Sequence, residues 1–217
     1  LVQGGLIEAR KGRLPSDQLF RNLSSHGTWK FENVTVESGV RATGYGMGIT
    51  TGDIDNDGDL DVFLTNYGPN QLYENLGNLH FRQLAVPGFD RANWSIAGSF
   101  ADMDADGWLD LYVGNYLQFA LAGYKPCRRW SSQLSYCAPS NFEPESDRLF
   151  RNLGGGQFVD VTDKAGIGGP LGGAMGVVAD DFNGDGQIDF YVANDGKDNL
   201  LWVNLGNNQF RNEALIA

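Results

Sequence analysis

The stretch Gly52 to Phe63, GDIDNDGDLDVF, constrains this chain more than any other, because it sets carboxylates at alternate positions around a compulsory glycine bend. Asp53, Asp55 and Asp57 take positions one, three and five. Gly58 supplies the positive φ that turns the backbone, Asp59 offers its carbonyl at seven, and Asp61 closes at nine. Hard oxygen donors at this density suit Ca²⁺. The pattern returns in ADMDADGWLDL as Asp102, Asp104, Asp106, the Trp108 carbonyl and Asp110. It returns again in DDFNGDGQIDF as Asp181, Asn183, Asp185, the Gln187 carbonyl and Asp189. One copy alone reads equally as an Asp-Gly hairpin turn. Three copies in phase predict three Ca²⁺ sites, with Mg²⁺ disfavoured because it demands tight octahedral geometry and retains its water. Asn183 removes one carboxylate, so the third loop is expected to bind most weakly.

EF-hand and dockerin loops share the opening D-x-D-x-D-G but end on an acidic residue at position twelve. Here position twelve is apolar: Leu64, Val113 and Val192. These residues lie in LDVFL, LDLYV and IDFYV, whose β-branched and aromatic content favours strands, so the loops are expected to join strand to strand.

The net charge of −11 invites a reading in terms of partners until the eleven loop aspartates are set aside, which leaves 16 acidic against 16 basic residues. The acidity is then that of the metal loops. No basic face remains for nucleic acid, and no run of eighteen apolar residues suggests insertion into a membrane. Thirty glycines along the whole length, with few helical segments, indicate many short strands and tight turns. The first residue is Leu1 and no charged-then-apolar leader follows it, so any export signal is expected to have been removed or to lie outside these residues.

A second motif, DQLFRNL from Asp17, recurs as NQLYENL from Asn70, DRLFRNL from Asp147 and NLLWVNL from Asn199. Each copy precedes a turn and an aromatic strand. One unit therefore reads as strand A (Gly46 to Thr51), calcium loop, strand B (Leu60 to Asn66), strand C (Gln71 to Leu76) and strand D (His80 to Leu84). That is a four-stranded antiparallel meander, and an all-β chain of β-propeller blades follows from its repetition. A solenoid is the weaker alternative. The expected organisation is a linker or upstream strand over 1–16, a half blade over 17–43, and blades over 44–90, 91–170 and 171–217, with an insertion at 117–146 between strands B and C of the middle blade. Three and a half blades do not close a ring. The open edges are expected to meet the remainder of a larger propeller or another copy of the chain.

The glycine-bracketed loops, seen in GYGMGITTGDIDNDGD and GGAMGVVADDFNGDG, resemble the FG-GAP/VCBS repeats of integrin α-subunit propellers. FENVTVESGV, FVDVTDKAGI, the L-[FY]-x-N-L-G strand and the YCAP of Tyr136 to Pro139 narrow the resemblance to the cartilage acidic protein (ASPIC/UnbV) family. It implies that the A–B loops share one rim and the B–C and D–A loops the other, with ions stiffening a hairpin in each blade. Neither a C-terminal ASPIC/UnbV segment nor an EGF-like module is present in the sequence.

The metal loops look structural rather than catalytic, and no nucleophile or phosphate-loop motif stands in a strand-to-helix setting. His26 and His80 read as turn or surface residues, Gly154 to Gly156 as a hairpin turn, and Asn66, Asn115 and Asn194 as turn formers. Cys127 and Cys137 have no further Cys or His spaced to complete a zinc site, so a disulfide is expected, with two buried free thiols as the alternative. A disulfide and open calcium loops would both indicate an extracytoplasmic setting. The expected function is a non-enzymatic, calcium-stabilised scaffold binding a protein or glycan ligand. The alternatives are the non-catalytic portion of a larger enzyme and a calcium-dependent lectin. The insertion, with Arg128, Arg129, Trp130 and Tyr136, is the expected partner surface. In the competing reading its aromatics, Tyr124 and Phe142 included, fold back as a lid, and binding passes to the segments around Trp94 and Leu171.

Overall fold

The computed structural model describes residues 16–122, 124–128, 133–169 and 172–214. The segment expected as a linker therefore lies almost wholly outside the described residues, as do Arg129, Trp130 and Leu171. A short hairpin, β1 (Phe20–Asn22) with β2 (Phe31–Asn33), comes first. Three four-stranded antiparallel sheets follow. The first runs β3 (Tyr45–Gly52), β4 (Asp61–Tyr67), β5 (Gln71–Asn75) and β6 (Phe81–Leu84). The second contains β7 (Ser95–Ala101) and β8 (Asp110–Asn115), then a two-stranded excursion of β9 (Cys127–Arg128) and β10 (Leu134–Ser135), then β11 (Arg148–Asn152) and β12 (Phe158–Asp160). The third is β13 (Ala174–Asp180), β14 (Asp189–Asn194), β15 (Leu200–Asn204) and β16 (Phe210–Asn212). Each sheet pairs its strands in chain order, as propeller blades do. No helix among the described residues is long and apolar enough to cross a membrane.

Burial within a blade follows strand position. β4 and β8 are buried at nearly every residue, on both faces, because neighbouring sheets cover them from either side. Their sequences accordingly read as near-continuous apolar runs. Three apolar clusters fill the gaps between successive sheets. One joins Phe63 and Leu72 of the first sheet to Leu111, Val113 and Phe150 of the second. Another joins Tyr112 and Leu149 of the second to Phe190 and Trp202 of the third. The third packs Leu19, Val40 and Ala42 against Val62, Leu64 and Tyr73.

The first strand of each blade is half-open and touches its counterparts: β7 packs against both β3 and β13. Glycine permits that approach, since a Cβ on Gly48 would stand 2.2 Å from the Ile96 carbonyl oxygen. Each of these three strands also carries one register shift at the same place, between Gly46 and Gly48, Ser95 and Ala97, and Ala174 and Gly176. A bulge repeated at one position bends and twists every blade alike.

Candidate metal centres

The aspartate loops join β3 to β4, β7 to β8 and β13 to β14, and strand pairing fixes their mouths. Gly52 pairs with Asp61, Ala101 with Asp110 and Asp180 with Asp189, so the residue just before position one faces position nine across each hairpin. Gly58, Gly107 and Gly186, all at position six, have φ of 93°, 90° and 86°. The backbone curls around the position-one carboxylate. Asp53 accepts the N–H groups of Asp57 (3.1 Å) and Gly58 (3.0 Å). Asp102 accepts those of Asp106 (3.1 Å) and Gly107 (2.9 Å), and Asp181 those of Asp185 (3.1 Å) and Gly186 (2.8 Å). Position five in turn accepts the N–H of position seven: Asp59 to Asp57 (2.8 Å), Trp108 to Asp106 (3.0 Å) and Gln187 to Asp185 (2.9 Å).

Position nine anchors the loop to the sheet. Asp61, Asp110 and Asp189 are fully buried. One oxygen of each accepts the N–H of position two, from Ile54 (2.8 Å), Met103 (3.0 Å) and Phe182 (3.2 Å). The other accepts the N–H of an asparagine that ends the third strand: Asn75 (2.7 Å), Asn152 (2.8 Å) and Asn204 (2.8 Å). Burial pushes the Asp61 carboxyl up to about 6 and that of Asp110 up to about 7, against the lowering effect of those N–H donors. Asp189 is raised for the same reason. Asp55 is raised by burial and then by Asp57, whereas the N–H groups led by that of Gly186 lower Asp181. Carboxylates held close at such cost in the ionised form are what a divalent cation relieves.

Among the described residues, three carboxylates converge in two of the loops. One oxygen each of Asp53, Asp55 and Asp61 lie within 4.8 Å of one another, as do those of Asp102, Asp104 and Asp106. Asp104 Oδ1 is buried and accepts no hydrogen bond, an oxygen left over for a ligand. The donor set is all oxygen and fits a hard cation. The remaining acidic residues of those two loops, Asp57, Asp59 and Asp110, stand outside these groups of three. Asp181, Asp185 and Asp189 form no such group. In that loop the Asn183 side chain bridges within position five, accepting the Asp185 N–H (2.8 Å) and donating to Asp185 Oδ2 (2.9 Å).

The asparagines that close the L-F-x-N-L motif were visible in sequence as a repeat, but their role was not. Asn152 Nδ2 donates across the blade boundary to the Ile54 carbonyl (2.8 Å) in the first loop, and Asn204 Nδ2 to the Met103 carbonyl (2.8 Å) in the second. Each blade thus holds the metal loop of the blade before it. Asn56 Nδ2 reaches the Gly107 carbonyl (2.9 Å) from one loop to the next.

At the other end of the blades, Asn66, Asn115 and Asn194 close the turn after the second strand. Their amides donate to the carbonyls of Pro69 (2.9 Å), Ser146 (2.6 Å) and Asp198 (2.7 Å). The antiparallel order puts the 117–146 insertion at this end, away from the aspartate loops. Cys127 and Cys137 form a disulfide within it. Phe119 packs against Tyr67, Trp94, Tyr124 and Phe142, so the base of the insertion folds onto the rim. Arg128 is exposed and Tyr136 is 97% exposed. His26 and His80 lie in turns: His26 has φ 40° and the His80 N–H donates to the Gly77 carbonyl (3.0 Å). Gly154, Gly155 and Gly156, all with positive φ, make the turn between β11 and β12.

A family model described as FG-GAP-like repeat matches residues 53–113 and 136–192, more than half of the chain. Two curated relatives are cartilage acidic protein 1 of Mus musculus, 28% identical over 229 residues, and of Homo sapiens, 26% identical over 179. The alignments take in 88% and 79% of this chain but 35% and 24% of those proteins, so the chain spans about a third and a quarter of their lengths.

Proposed function

The chain belongs to the FG-GAP-like repeat family, and from that premise we propose that it is a calcium-stiffened propeller module, an extracytoplasmic scaffold rather than an enzyme, whose free rim meets a protein or glycan. The observation that carries the reading is the convergence of position-one and position-three carboxylates in two successive loops, each wrapped by its own N–H groups. Asp53, Asp55 and Asp61, and Asp102, Asp104 and Asp106, would hold the ions, with the third loop completing its set through Asn183. A bound cation supplies charge neutralisation at the A–B hairpins. The protein's own residues do the rest, since Asn152 and Asn204 pass the order of one loop to the next blade. The disulfide agrees with an oxidising compartment.

Melting in calcium and in EGTA tests this. With a Kd near 10⁻⁴ M and about 1 mM ion, each site contributes roughly 1.4 kcal/mol by mass action. The melting temperature is therefore expected to fall in chelator, and an unchanged value would refute the reading.

A second surface is favoured by one comparison between blades. Ile54 and Met103, at position two of the first two loops, are 0% and 4% exposed because the next blade covers them, whereas Phe182 at the same place is 46% exposed. Val178, Met175 and Tyr191 are exposed with it. This face has the composition of an inter-blade contact, and its proposed partner is a further blade, from a longer chain or a second copy.

A further inference from the structure

The residue before the closing asparagine of the third strand differs in each blade: Glu74, Arg151 and Val203. In the middle blade this side chain reaches the metal loop. Arg151 Nη2 donates to Asp106 Oδ2 at 2.9 Å, and its Nε stands 2.6 Å from Asp104 Oδ2, a charge contact without the alignment of a hydrogen bond. Those carboxylates are positions five and three of the second loop, two of the three that converge there. The Arg151 side chain is one-third exposed. Asp104 Oδ2 also takes the Asn208 amide at 3.3 Å, from the turn of the next blade.

The arginines nearest the corresponding place in the other blades are turned elsewhere. Arg82 on β6 pairs with Glu74, and Arg211 on β16 pairs with Glu213. Only in the second blade, among the described residues, does an ion pair join a guanidinium to an aspartate loop.

We propose that Arg151 is a built-in counter-cation of the second loop, which competes with calcium for Asp104 and Asp106 and sets that site's affinity below the first. The inference rests on the calcium reading above and adds a residue that tunes it. A guanidinium beside two ligand carboxylates cancels one unit of the charge that draws a divalent ion. Four aspartates with one arginine leave the second loop no more negative than the third, where Asn183 replaces a carboxylate. The ranking by loop carboxylates alone, with the third site weakest, is thereby changed: the first loop fills first and the other two follow together. The guanidinium also offsets the repulsion among the second loop's carboxylates at low calcium, where the other loops rely on their N–H donors.

Terbium(III) is the probe, because it takes calcium's oxygen sites and Trp108 stands at position seven of this loop while Asp59 and Gln187 stand there in the others. Indole-sensitised emission therefore reports the second site. Arg151→Val installs the residue that the third blade already carries, and Arg151→Lys keeps the charge. Arg151→Val is expected to tighten the second site by about tenfold, the size for removing one unit charge beside a multivalent ion in a water-exposed, salt-screened place. Arg151→Lys is expected to stay near wild type. An unshifted midpoint in Arg151→Val, or equal tightening in Arg151→Lys, would overturn the counter-cation. Equilibrium dialysis with Ca²⁺ alone distinguishes the failures. No bound calcium on the wild-type protein overturns the calcium reading and this one with it. Bound calcium with identical isotherms for wild type and Arg151→Val overturns only the role of Arg151.

Discussion

Replacing Asp147 by Asn is expected to change how the stability of this protein depends on pH. Asp147 heads β11 and is 4% exposed. Its Oδ1 accepts the Asn115 N–H at 2.8 Å and its Oδ2 the Tyr112 hydroxyl at 2.8 Å, while that hydroxyl accepts Trp202 Nε1–H at 3.1 Å. Burial pushes the carboxyl from 3.8 to about 7, against the two hydrogen bonds. The folded value lies above the unfolded one, so the group's contribution to stability is fully present below 3.8 and is lost as pH rises through about 7. A shift of that size corresponds to about 4 kcal/mol across the whole window, most of which falls between about pH 5 and about pH 8. The other blades show that an amide fits: Asn70 and Asn199 stand at this place, accepting the N–H of Asn66 (2.9 Å) and Asn194 (2.9 Å). Asn does not titrate, so the stability of Asp147→Asn relative to wild type is expected to rise by about 2 to 3 kcal/mol between those two pH values, whatever constant offset the Tyr112 contact adds. Urea unfolding of both proteins in saturating calcium measures it, and carboxylates common to the two cancel in the difference. A difference that is the same at both pH values would refute the argument from burial.

Two further expectations concern surfaces. Tyr136→Ala and Arg128→Ala should each stay within about 0.5 kcal/mol of wild type in unfolding experiments, whereas Phe119→Ala, which removes a ring packed against Tyr67, Trp94, Tyr124 and Phe142, should cost about 3 kcal/mol. A large loss at Tyr136 would show that the tip of the insertion is packing rather than a presented surface. If the face around Phe182 seats another blade from a second copy, sedimentation should show concentration-dependent association that Phe182→Asp abolishes; association unaltered by that substitution would place the contact elsewhere.

What could be read from the sequence is what repeats, and what escaped it is what depends on the neighbouring blade. The loops were legible because carboxylate spacing is a local constraint, and β4 and β8 because a strand buried on both faces is apolar through its middle; the expected strands of the first blade agree with the observed ones to within a residue. The asparagine of L-F-x-N-L recurs in the sequence without showing a role, since its partner carbonyl lies 98 residues away at Ile54 or 101 away at Met103. Position four of the loops offered a faint signal: Asn56 and Gly184 tolerate positive φ, yet Ala105 shares it at 56°, and only the curl of the backbone around Asp102 forces it there. Arg151 was the least visible of all, because a charged residue within a short strand reads as solvated. Its contact with Asp104 and Asp106 arises only when β11 pairs with β8 and brings the third strand's end beside the loop that precedes the second. The same pairing acts in every blade. The one residue ahead of the closing asparagine is therefore the place where an otherwise identical hairpin can acquire a positive, neutral or negative neighbour without disturbing the spacing that makes it a metal loop.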